Sequence, residues 1–281
     1  TIEKPSTYDY KNYTVCKTGP WGQGPTFLQQ LALLKGFNLD ALDENSPEFV
    51  HLVVEATKLA FADREAFYGD PDFNKIPLDI LLSDKYNNER RKLIGKNASM
   101  EVRPGIIPGF GGPVVVRPKG TTPESFSKFD IGEPTVARFD EPTPDELGGT
   151  KGDTTHFDII DKWGNMIAGT PSGGWLQSSP IIPSLGFCLS NRGQMFWLDK
   201  NSPACIGPKR RPRTTLSPTL ALKDGEPYMV FGTPGGDQQD QWSLHLFLRH
   251  VHFGLNLQEA IDAPGFSTAH FPNSFYPRET D

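Results

Sequence analysis

The sequence predicts a layered α+β fold on three observations: two helical segments with clear start signals near the beginning, short β-patterned segments joined by glycine turns beyond residue 154, and a return to helix from Gln241. Pro25 opens the first helix, over 26–35, where Phe27, Leu28, Leu31 and Leu34 recur at spacings of three and four before Gly36 closes it. The second begins with Ser46 as N-cap and Pro47 in the first turn, and its apolar face runs from Phe49 through Leu52, Ala56 and Leu59 towards Tyr68-Gly69. From about 101 to 149 prolines and glycines dominate, which reads as an exposed connector that can be neither helix nor central strand. A connector of that length inside a compact domain implies a task, here delivery of a processing site at Thr154. Segments 155–161 and 165–170 flank Lys162-Trp163-Gly164 as a hairpin; 187–189, 216–222 and 228–231 read as strands, the last two joined by Lys223-Asp224-Gly225-Glu226. After Gly235-Gly236 the pattern over 241–251 is helical, and no internal repeat is present.

With 281 residues, 36% hydrophobic and 22% charged, the chain can fill one large domain or two. A net charge of -6 and the lack of long like-charge runs give no footprint for nucleic acid, so small molecules and proteins are the expected partners. Cys16, Cys188 and Cys205 are too few and too dispersed for a disulfide framework or zinc ribbon, and read as buried or incidental thiols. No run of about 18 apolar residues predicts a membrane span, and Thr1 to Tyr10 do not read as a signal peptide. The six histidines contain no HExxH, and His250-Val251-His252 reads as a helix-end surface pair, so neither metal nor cofactor is expected. Compartment and oligomeric state, including a homo-oligomer, stay open.

The chemistry concentrates at Gly152-Asp153-Thr154-Thr155-His156, a small polar junction at the start of a β-patterned run. A cut before Thr154 gives that residue a free α-amine beside its own hydroxyl, and an N-terminal amine is one way to activate a threonine hydroxyl. Taken alone, the five residues fit an ordinary strand start far better than a processing site, because branched side chains suit a pleated strand.

Several motifs in this order resemble the γ-glutamyltranspeptidase family of N-terminal-nucleophile hydrolases. They are the helix Glu55-Ala56-Thr57-Lys58-Leu59-Ala60-Phe61-Ala62-Asp63-Arg64 with Gly69-Asp70-Pro71, the junction at Thr154, Arg211-Pro212-Arg213-Thr214-Thr215-Leu216-Ser217-Pro218, and Gly232-Thr233-Pro234-Gly235-Gly236. The resemblance implies a four-layer αββα sandwich made as one precursor that cuts itself between Asp153 and Thr154. Residues 1–153 would then be the C-terminal part of a large subunit and 154–281 a small catalytic subunit lacking its C-terminal end. A substrate-carboxylate arginine of the family would lie upstream of Thr1.

The same resemblance makes Thr154 the nucleophile for processing and turnover, and Ser172 a hydroxyl that hydrogen-bonds it; Ser172 also reads as a solvated turn serine. Gly235 and Gly236 match the paired glycines whose amides hold the oxyanion, a role that wants no side chain in the way. Thr214 and Thr215 match hydroxyl residues that hold a substrate carboxylate, or they simply begin a strand. The departure lies in Leu189–Phe196, where Arg192 and Met195 occupy the places of two acceptors for the γ-glutamyl ammonium; neither residue can accept from it. Gly174 stands where transpeptidases carry a substrate-contacting Asn. Asn191-Arg192-Gly193 and Gly235-Gly236-Asp237 resemble a side branch that includes oxamate amidohydrolase and relatives of cephalosporin acylases. The expected activity is thus an amide hydrolase or acyltransferase, with glutathione or other γ-glutamyl amides as default substrates. A carboxylate-bearing amide of oxamate or glutaryl type is the alternative, and an uncleaved binding module the alternative of another class.

Overall fold

A computed structural model describes residues 2–120, 154–173, 180–275 and 278–280. The Gly152-Asp153 side of the junction, Gly174 and most of the proline-rich connector lie outside them.

Strands β1 (Ser6–Tyr10) and β2 (Tyr13–Lys17) form a hairpin that leads into α1 (Gly24–Leu34), every residue of which is buried. Helix α2 (Pro47–Phe67) starts where the sequence predicts, with Ser46 Oγ accepting from the Phe49 N–H at 3.2 Å. Short helices α3 (Leu78–Leu81) and α4 (Asp84–Arg91) follow. Beyond residue 154 come β3 (Phe157–Ile160), β4 (Met166–Gly169), β5 (Ile181–Ile182) and β6 (Phe187–Cys188). Then β7 (Thr219–Lys223), β8 (Glu226–Phe231), α5 (Gln239–Phe253) and α6 (Leu257–Asp262) complete the described elements.

The central sheet is antiparallel with order β1-β2-β7-β8. Its middle ladder pairs Val15 with Ala221 and Lys17 with Thr219, joining strands from the two sides of the Thr154 junction. Alternation turns Tyr13, Val15, Ala221, Met229 and Phe231 towards α1, α2 and α5. Phe247 of α5 sits at the centre of that interface, its ring 6.0 Å from those of Phe27 and Phe231 and 5.6 Å from Tyr13.

Buried polar groups cross-link this core. Lys17 Nζ, enclosed, lies 2.9 Å from Asp240 Oδ1 and donates to Thr219 Oγ1 and the Ser217 carbonyl, so β2 is tied to α5. Asp63, fully buried in α2, accepts from Gln29 Nε2 at 2.6 Å, Tyr86 Oη at 2.9 Å, the Gly105 N–H at 2.6 Å and Arg90 at 3.1 Å. That one carboxylate fastens α1, α4 and the segment after it to α2.

The β3–β4 hairpin lies against β7 and β8. A cavity of about 640 Å³ separates Met166–Ala168 from Cys16 and Leu220, which alternate with the helix-facing residues of β2 and β7. The architecture is mixed α+β, as the sequence predicts: a helical layer, a four-stranded sheet and a short β hairpin. A second helical layer is not among the described residues.

Three differences from the sequence expectation have physical causes. Strands β1 and β2 carry tyrosines, charges and a Lys11-Asn12 turn in which Lys11 takes φ 54°, so no apolar alternation announces them. Strand β7 begins at Thr219 rather than Leu216, because Pro218 has no N–H for the ladder and Ser217 instead donates to Gln239 Oε1 and Asp240 Oδ1. The 187–189 strand shrinks to the two residues of β6. Among the described residues no helix is long and apolar enough to cross a membrane, and no group of three or more His, Cys, Asp or Glu is placed to hold a metal ion. All three cysteines are free thiols, Cys205 buried and the others half-buried.

Candidate active site

The hairpin brings the Thr154 end of β3 beside the exit of β4. The Thr155 N–H donates to the Pro171 carbonyl at 3.2 Å, and this pairing leaves Thr154 Oγ1 2.8 Å from Ser172 Oγ. Thr154 is half-buried. The two hydroxyls singled out in the sequence are therefore neighbours, at a separation where one donates to the other.

Gly173 comes next, with φ +71°, a conformation that costs glycine little. A Cβ there would lie 2.5 Å from Arg192 Nε and 2.6 Å from Asn191 Oδ1, so the guanidinium packs directly on the backbone adjoining Ser172. The Asn191 N–H donates to the Gly173 carbonyl at 2.8 Å and fixes that approach. Arg192 opens a short 3₁₀ turn, Arg192–Met195, and is 6% exposed; Met195 is 1% exposed and turned into the protein. The two residues part company in the structure: Arg192 packs on the backbone next to Ser172, and Met195 belongs to the core.

His156 braces the hairpin. Its Nδ1 is 2.8 Å from Thr170 Oγ1 and its Nε2 2.9 Å from Asp158 Oδ1, with the ring packed against Gly232 at the end of β8. Both ring nitrogens are engaged within the hairpin, which fits a structural residue rather than a base.

Gly235 and Gly236 follow β8 with φ +124° and +55°, both outside the range favoured by residues with a side chain. A Cβ on Gly235 would meet the Trp242 ring at 2.5 Å. The Gly235 carbonyl accepts from the Gln238 N–H at 3.0 Å in the turn Gly236–Gln238 that opens α5.

Thr214 and Thr215 are 5% and 1% exposed. The Thr214 N–H donates to the Trp21 carbonyl at 2.9 Å, and its Oγ1 accepts from the Leu216 N–H at 3.3 Å. Thr215 Oγ1 is enclosed with no hydrogen-bond partner among the described residues, an arrangement that costs about 1–3 kcal/mol until a partner arrives.

Behind the glycine pair lies a polar network, to which the resemblance motifs contribute Arg64, Arg213 and Asp237 with no role assigned to them. Arg64 Nη1 donates to Gln23 Oε1 at 2.8 Å and to Asp237 Oδ1 at 2.5 Å. Its Nη2 lies 2.8 Å from Glu65 Oε1, which also receives Arg213 Nη2 at 2.6 Å. Ser274 donates to Asp237 from both its N–H (2.8 Å) and its hydroxyl (2.6 Å). Burial opposes ionisation of Asp237, but the Arg64 charge and the Ser274 donors outweigh it and hold the carboxyl below its ordinary range. Arg278 stacks over Trp197 and donates to the carbonyls of Gln194 and Phe196, so the same region supports the Arg192 turn; burial pushes its pKa down to about 10. Gln23, Glu65, Ser274 and Arg278 stand in none of those motifs, while Arg64 is also marked as a charge beside Phe61 and Phe67 on a helix whose second half is wholly buried.

Residues 1–278 match the family model described as Gamma-glutamyltranspeptidase. The glutathione hydrolase proenzyme of Bacillus subtilis subsp. natto is 31% identical over 270 residues, covering 95% of this chain and 42% of that protein. Among solved structures, LmbA2991HD superposes with a TM-score of 0.78 at 50% identity, over 99% of this chain and 44% of that one. The cephalosporin acylase from Bacillus halodurans superposes with a TM-score of 0.67 at 28% identity, over 93% and 40%. The chain spans less than half the length of the curated relatives it matches.

Proposed function

The chain belongs to the gamma-glutamyltranspeptidase family, and on that premise we propose that it carries the catalytic centre of a self-processing threonine amide hydrolase or acyltransferase. In this reading the protein is an αββα sandwich whose 1–153 and 154–281 parts are the portions of two subunits cut from one precursor between Asp153 and Thr154. The observation that carries it is the 2.8 Å contact between Thr154 Oγ1 and Ser172 Oγ. That relatives are named proenzymes supports the cut.

The steps follow from the residues. Thr154 Oγ1 attacks the carbonyl of its own upstream peptide bond; the C–N bond breaks, which frees the α-amine and leaves an ester on Oγ1, and water then hydrolyses that ester to release the Asp153 carboxylate and restore the hydroxyl. In turnover that amine takes the Oγ1 proton as the hydroxyl attacks a small-molecule amide. Ser172 keeps the hydroxyl oriented, and the amides of Gly235 and Gly236 receive the tetrahedral oxyanion. Collapse expels the amine, which leaves with the proton, and an acyl ester stays on Thr154. Water or an acceptor amine then attacks that ester, releasing acid or a new amide and restoring the hydroxyl. Mass spectrometry of the full-length protein is expected to give two fragments, the smaller beginning at Thr154. One intact chain after long incubation would sink the reading and leave the non-catalytic alternative.

The placement of Arg192 favours one acyl class. A guanidinium packed beside Ser172 suits a substrate carboxylate, which it can pair by charge-assisted hydrogen bonds, and repels the γ-glutamyl ammonium. Amides of oxamate or glutaryl type fit this better than glutathione, with Thr214 and Thr215 as further hydroxyl donors. Arg192→Glu is expected to lower turnover of glutaryl amides relative to γ-glutamyl amides by about 10- to 100-fold. An unchanged preference between the two amide series would count against any role for Arg192.

A further inference from the structure

Two consecutive glycines with positive φ form a weak scaffold for an oxyanion site, because either peptide can flip at small cost. Something must hold them. One peptide is fixed locally: the Gly235 carbonyl accepts from the Gln238 N–H, and in a trans peptide the Gly236 N–H then points the opposite way, away from the start of α5. The next peptide, between Gly236 and Asp237, carries neither the Gly235 nor the Gly236 N–H but sets the backbone angles of Gly236. Its carbonyl accepts from the Gln239 N–H within the turn and, from far away in the chain, from Gln23 Nε2 at 3.2 Å; Gln23 itself is 1% exposed, just ahead of α1.

Gln23 is held in turn at its other end. Its Oε1 accepts from Arg64 Nη1, the same nitrogen that binds Asp237, the residue following Gly236. The guanidinium therefore grips the glycine turn twice, through the Asp237 side chain and through the Gln23 amide. Because Arg64 can only donate, it takes the Gln23 oxygen and so fixes which way the amide faces, leaving the NH₂ end for Gly236.

We propose that Gln23 is a positioning residue for the reaction: by bridging Arg64 to the Gly236 carbonyl it sets the orientation of the Gly235-Gly236 amides that receive the oxyanion. This rests on the Thr154 reading above. Gln23 is not in contact with Thr154, and it acts, together with the Gln239 N–H on the same carbonyl, by limiting the turn to the geometry that aims its N–H groups at the oxyanion oxygen.

Gln23→Glu tests this in the full-length protein, because it keeps the acceptor for Arg64 but sets a carboxylate oxygen against the Gly236 carbonyl. Gln23→Met, which removes both hydrogen bonds at similar volume, is the companion variant. Turnover is measured with the p-nitroanilide, γ-glutamyl or glutaryl, that the wild type hydrolyses. Both variants are expected to keep the Thr154 N-terminus, a melting temperature close to wild type and a KM within about threefold, with kcat down about 100-fold. Affinity for butylboronic acid, whose adduct with the Thr154 hydroxyl presents a tetrahedral anion to the turn, should fall in parallel with kcat/KM. A processed, folded Gln23→Glu protein with kcat within twofold of wild type, or with unchanged boronate affinity, overturns the proposal and leaves the Thr154 reading standing. A wild type that never exposes Thr154 overturns both.

Discussion

A Thr154→Ala protein is expected to stay a single uncut chain and to lose at least about 10³-fold of its turnover. The size follows from what one residue supplies. On the proposed mechanism the hydroxyl is the nucleophile of both reactions, and the amine that activates it exists only after the first of them. Alanine removes the hydroxyl directly and the amine indirectly, so no partial compensation is available from Ser172, whose Oγ is 2.8 Å away but has no adjacent amine. Thr154→Ser keeps both groups and is expected to process and turn over at an intermediate rate. Denaturing electrophoresis and a single-substrate assay read both effects. A Thr154→Ala chain that still separates into two bands would show that the cut has another author, and the nucleophile would have to be sought elsewhere.

The second large effect is on stability. Asp63→Ala is expected to destabilise the fold by about 3–5 kcal/mol, because it leaves the buried Arg90 guanidinium without its counter-charge. Three further donors lose their acceptor at the same time: Gln29 Nε2, Tyr86 Oη and the Gly105 N–H. Asp63→Asn keeps the shape and part of the acceptor capacity, so its cost should be smaller. Urea unfolding of the two variants measures the difference; equal midpoints for Asp63→Ala and wild type would refute the hub.

How far these features can be read in the sequence depends on whether their cause is local. Helix α2 is legible because Ser46, Pro47 and the apolar spacing sit within one another's reach, and the β7–β8 turn because Asp224 and Gly225 adopt the left-handed φ that such hairpins require, 53° and 85°. Helix α6 was equally legible in principle from the Asn256–Glu259 capping box. Helix α4, Asp-Lys-Tyr-Asn-Asn-Glu-Arg-Arg, has no apolar stripe: Ser83 caps it and Asn87 holds the Leu81 carbonyl locally, but the bond from Arg90 to Asp63 that seats it on α2 is one no short window of sequence contains. The site divides the same way. Family resemblance pairs Thr154 with Ser172, and the structure puts their hydroxyls together. Gln23, Arg64, Asp237 and Ser274 are scattered from one end of the chain to the other and become a unit only when α1, α2 and the Gly235-Gly236 turn meet.

The pairing of β2 with β7 has a consequence for the life of the protein after its proposed cut. The ladder from Tyr13↔Lys223 to Lys17↔Thr219 is intramolecular in the precursor and intermolecular once the 153–154 bond is broken. The fragments stay bound by that ladder and by the shared core, so native separation should not resolve them. Unfolding, however, would release two chains, and their reassembly would depend on concentration where the precursor's folding does not. The mature form would persist through the slowness of its unfolding rather than the ease of its return. Folding would be an event of the precursor, completed once, with maturation closing the way back.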